Sequence, residues 1–94
     1  MSLKGGEIWS DTTTHNTTGY TLASNYDVLI VTSRNGNGTN NVAYSGGGTV
    51  YKSYTSHSED VIYSCIVVIG ATKGSRVYAQ NSWYEAHVYG YNVS

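Results

Sequence analysis

The sequence predicts an all-β domain: an antiparallel β-sandwich of about eight short strands with jelly-roll or Greek-key connections. Three observations predict it. No stretch holds a helical period for three turns. β-Branched and aromatic residues fill the apolar positions, and clusters of Gly, Asn and Ser interrupt them roughly every ten residues. Ninety-four residues suit one domain with a thin core.

Taken in order, residues 1–6 read as a leader and linker without the apolar run of a signal peptide, leaving 7–94 as the domain. Residues 7–10 form a first strand about Ile8 and Trp9, followed by a polar loop over 11–18. Residues 19–23 carry Tyr20 and Leu22 on a second short strand. Asn25 then turns the chain into 26–32, which is apolar on both faces and therefore central. Residues 34–41 read as a loop because Asn-Gly pairs tolerate positive φ. A brief strand at 42–44 precedes the glycine turn at 45–48. Residues 49–55 alternate, and 56–60 form a polar loop. The run 61–69 is the second central strand, 70–75 a turn and 76–80 a strand. The last strand, 83–93, places Trp83, Glu85, His87, Tyr89, Tyr91 and Val93 on one side.

Composition narrows the function. Ten tyrosines, two tryptophans and no phenylalanine indicate rings kept partly wet, because each phenol seeks a polar partner. Charged residues make up 12% of the chain and the net charge is −1, so the polar surface consists mainly of hydroxyls and amides. Lys4, Arg34, Lys52, Lys73 and Arg76 are scattered, which argues against a nucleic-acid partner. The longest apolar run is too short to insert in a membrane as a helix. Cys65 is the only cysteine, excluding an intrachain disulfide, and reads as a buried inert thiol.

Enzyme readings come off badly. Asp11 and His15 lack a third member to orient the imidazole. Glu59 and Asp60 are adjacent, so a strand would point them to opposite faces. His15, His57 and His87 show no metal-ligand spacing, and His87 reads as an ordinary strand histidine. Gly46-Gly47-Gly48 is not directly followed by a Lys-Ser/Thr pair, as a phosphate loop would require. The expectation is a non-catalytic protein with no metal or cofactor.

Binding is the better expectation. Tyr26, Tyr63 and Tyr78 sit within apolar strands and read as core or sheet-edge residues. Tyr44, Tyr51, Tyr54, Trp83 and Tyr84 lie beside polar loops, where rings stack on the apolar face of a sugar. With Arg34, Asn35, Asn37 and His57 supplying polar contacts, these are the candidate ligand-binding residues.

A resemblance adds a setting. Glu7-Ile8-Trp9-Ser10, Gly19-Tyr20-Thr21-Leu22 and the segment from Asn25-Tyr26-Asp27 to Val31 resemble the opening of C-terminal domains on bacteriophage tail fibres. His87-Val88-Tyr89-Gly90-Tyr91-Asn92 is similar to their closing strand. In that family such domains are β-sandwich heads, typically homotrimers at a fibre tip that recognise a host-surface saccharide or protein. The resemblance implies architectural roles for Trp9, Asn25, Tyr26, Asp27 and Gly90, and Cys65 joins them as a structural residue. It implies a virion tail-fibre tip, or a prophage-encoded soluble protein, as the location. The alternatives are a structural tail or capsid component with tyrosine-rich interfaces, and a small stand-alone lectin.

Overall fold

The two apolar runs become the longest strands and lie side by side within the larger of two antiparallel sheets. The computed structural model describes residues 2–12, 19–36, 42–58, 61–79 and 85–93, with the backbone alone at 35, 36, 53–58, 61, 62 and 79. Its strands are β1 (Leu3–Asp11), β2 (Tyr20–Thr21), β3 (Tyr26–Gly36) and β4 (Val42–Ser45). They continue as β5 (Thr49–Ser58), β6 (Val61–Ala71), β7 (Arg76–Ala79) and β8 (Glu85–Val93). The larger sheet has the order β1-β8-β3-β6-β5 and the smaller β2-β7-β4. Pairing of β1 with β8, β2 with β7 and β3 with β6 is the nested wrap of a jelly roll.

β5 departs from that wrap by pairing with β6 in the larger sheet. The chain changes sheet at the glycine bend of residues 46–48, which is tied down from several sides. Tyr44 Oη donates to the Gly47 carbonyl at 2.6 Å, and the Gly47 amide donates to Thr72 Oγ1 and Ser75 Oγ, each at 3.3 Å.

Alternation along the strands builds the core. Leu29 and Val31 of β3, Ile66 and Val68 of β6, and Ala86 and Val88 of β8 point inward. Leu22, Val42 and Val77 meet them from the smaller-sheet side. Each large aliphatic side chain so buried contributes roughly 1.5–3 kcal/mol of transfer free energy. Trp9 and Tyr20 stack at 5.2 Å and 19°, joining β1 to β2 beside this core.

The segment Asn25-Tyr26-Asp27 fastens three places at once. Asn25 Oδ1 accepts from the Lys73 amide at 2.7 Å. Asp27 Oδ2 accepts from the Val93 amide at 2.7 Å, while the Asp27 amide donates to Asn92 Oδ1 at 3.0 Å. Tyr26 packs against Gly90, where a Cβ would stand 2.6 Å from the tyrosine ring. Gly90 is therefore a close-approach glycine.

Strand boundaries differ from the sequence expectations in one consistent way. Leu3 to Gly6 belong to β1 rather than to a linker, with Leu3 opposite Val93 and Lys4 opposite Asn92. β3 continues through Arg34 and Asn35 to Gly36, and β5 continues through His57 to Ser58, where loops were expected. Backbone ladders hold these ends, and a ladder does not require apolar side chains. Cys65 is also corrected: it is half-buried and faces away from the core, opposite Thr32, because Ile66 and Ser64 take the inward positions.

Candidate functional site

The outer face of the larger sheet carries the site. Register places Arg34 of β3 directly opposite Tyr63 of β6 on one side and Glu85 of β8 on the other. Two residues along, on the same face, Thr32 lies opposite Cys65 and His87. Together with Ser33, Arg34, Thr32, Tyr63, Glu85 and His87 line a cleft of about 120 Å³. Tyr63, expected as a core or sheet-edge residue, is 43% exposed and forms a wall of the cleft.

A bulge in β1 brings in a further carboxylate. Residues two apart on a regular strand share a face. Here the register shifts between Glu7 and Trp9, making Ile8 an extra residue. Trp9 can thus pack toward the core while Glu7 stays on the outer face against His87.

The charged groups form one continuous row. His87 Nδ1 lies 2.8 Å from Glu7 Oε2, and His87 Nε2 lies 3.3 Å from Glu85 Oε2. Glu85 Oε1 lies 3.6 Å from Arg34 Nε. The hydrogen bond to Glu7 raises the His87 pKa above its ordinary value; partial burial opposes the shift and Glu85 adds to it. Signs alternate from Glu7 to His87, Glu85 and Arg34 when the imidazole is protonated. Among the described residues, no group of His, Cys, Asp and Glu has the arrangement of a metal site.

Of the sequence candidates whose side chains are described, Arg34 is brought into this cleft, while Tyr44 and Tyr51 do not line it. Tyr51 is 59% exposed on the edge strand β5, beside a second depression shared with Lys52, Cys65 and Val67. Tyr44 braces the glycine bend and packs against the core, away from this cleft. Asn37, Trp83 and Tyr84 lie outside the described residues, as do the side chains of Asn35, Tyr54 and His57. Sequence reasoning missed Tyr63, Glu85 and His87. Glu85 and His87 did stand on one face of the last strand, but nothing in the order of residues set them beside Arg34.

No family model, curated protein or solved structure matches the chain.

Proposed function

We propose that this domain is a non-catalytic adhesion module of a phage or prophage tail fibre that binds a host-surface saccharide in the cleft beside Tyr63. The observation carrying this reading is an aromatic ring 43% exposed next to an ordered row of hydrogen-bonding charges. A sugar presents an apolar C–H face that stacks on such a ring, and hydroxyls that both donate and accept. Glu85 accepts from them and the Arg34 guanidinium donates to them, fixing orientation with few groups. The fibre setting and a homotrimeric state rest on the family resemblance. Trimer symmetry would repeat a weak site and raise avidity.

The test is binding of maltose, lactose and chitobiose, followed by amide NMR shifts. Perturbation centred on Arg34, Tyr63, Glu85 and His87, and lost in Tyr63→Ala, supports the reading. Sugar binding unchanged by Tyr63→Ala removes this cleft, and no binding to any of the three removes the saccharide reading.

A second reading, a structural component packed against neighbouring subunits, is favoured by the rest of the same face. Val28 lies opposite Ile69 and Ile30 opposite Val67, all on the outer side, and Ile69 is 47% exposed. Light scattering across a dilution series tests it. A mass of one chain at every concentration removes both this reading and the trimer.

A further inference from the structure

The row that lines the cleft has a middle member able to gain or lose a proton, and its neighbours respond differently to that change. His87 projects from β8 between two carboxylates. On β1 the group facing it is Glu7; Ser10, its backbone partner there, is uncharged, and Asp11 lies opposite Ala86 instead. On β8 itself its same-face neighbours are Glu85 and Tyr89, whose ring lies 6.4 Å away at 24°. On β3 they are uncharged Thr32 and, two residues along, Arg34. On β6 they are Tyr63, across the cleft, and Cys65.

We infer that His87 is a proton-operated gate on the cleft, deciding whether Glu85 is free to accept a hydrogen bond from a ligand hydroxyl. The inference rests on the ligand cleft proposed above. When protonated, the ring donates from both nitrogens, to Glu7 at 2.8 Å and to Glu85 at 3.3 Å. Both oxygens of Glu85 are then engaged, Oε2 by His87 and Oε1 by Arg34. A neutral imidazole keeps one N–H. The shorter contact keeps it on Nδ1, toward Glu7, so Nε2 turns a lone pair toward Glu85 Oε2. Two lone pairs repel, and Oε2 becomes an acceptor without a donor at the wall of the cleft. A hydroxyl-bearing ligand supplies that donor. The released proton leaves to solvent, with which the 28%-exposed His87 side chain is in contact.

The raised pKa of His87 agrees with this arrangement and places the transition above the ordinary histidine value. Ligand binding strengthens as pH rises through it. A charge-assisted hydrogen bond gained at Oε2 corresponds to about tenfold in affinity.

The test follows the ring nitrogens of His87 and the side-chain carboxyl carbon of Glu85 by NMR from about pH 5.5 to about pH 9. Maltose, lactose and chitobiose are titrated at both ends of that range. The expected result is a neutral ring with its hydrogen on Nδ1 and a Glu85 signal that moves with the His87 midpoint. Sugar affinity should rise about tenfold toward high pH and lose that dependence in His87→Gln. A neutral ring protonated on Nε2, or a Glu85 signal indifferent to His87, overturns the gate whatever the ligand. Binding that is independent of pH overturns the gate but not the cleft. Failure of all three sugars at both pH values overturns the saccharide reading, and with it the gating of that ligand.

Discussion

Glu7 and His87, eighty residues apart in the chain, meet at 2.8 Å across the β1–β8 ladder. Because the partner raises the pKa of His87, the pair stabilises the fold below the unfolded histidine value of about 6.5. That contribution disappears as pH rises through the higher folded value. Thermal melts of the wild type and His87→Gln should therefore differ most in mild acid, by no more than about 1 kcal/mol for a pair this open to solvent. The difference should close in alkali. A gap that widens with pH would contradict the ion pair.

Gly90 and Tyr26 predict a steric cost. A Cβ at Gly90 would lie 2.6 Å from the ring, which is itself packed against the core. Gly90→Ala should destabilise by about 1–3 kcal/mol, the usual range for overpacking. In Tyr26→Leu the same change should cost less. Denaturant unfolding of both single variants and the double variant measures this coupling.

Asp27 predicts a local cost. Its carboxylate holds the Val93 amide while its own amide is held by Asn92, so the two strands clasp each other reciprocally. Asp27→Ala should cost about 1–2 kcal/mol, in the range of a charge-assisted bond to backbone. Hydrogen exchange should rise first at Val93. Combined with Asn92→Ala, the losses should add to less than their sum.

Ser64 predicts a gain. Its hydroxyl is buried and has no hydrogen-bond partner among the described residues. An unsatisfied buried hydroxyl costs about 1–3 kcal/mol. Ser64→Ala should leave stability unchanged or raise it by about 1 kcal/mol, read as the denaturant midpoint at constant slope. A clear loss would mean that the hydroxyl has a partner.

The fold was legible because its signals are local. Val28 to Val31 and Ile66 to Val68 carry apolar residues on both faces, which suits interior strands of a sheet, and the glycine bend falls at residues 46–48. The ends of strands were harder to see. Leu3 to Gly6, Arg34 and His57 sit in ladders held by backbone groups, and their side chains carry no strand signature. The cleft was legible in one residue, Arg34. Tyr63 and Glu85 reach it only through the register of β6 and β8 against β3, a long-range property that periodicity does not encode. The bulge at Ile8 was equally invisible, although it lets Trp9 face the core while Glu7 stays on the outer face.

Leu3 and Val93 stand opposite each other at one end of the large sheet, while Glu85 begins β8 at the other. The eight residue steps between Glu85 and Val93 span about 26 Å of extended strand. A support attached through either of those strand ends would hold the domain by its back. The Arg34–Glu85 end of the cleft would then lie at the far end of the sheet from that support.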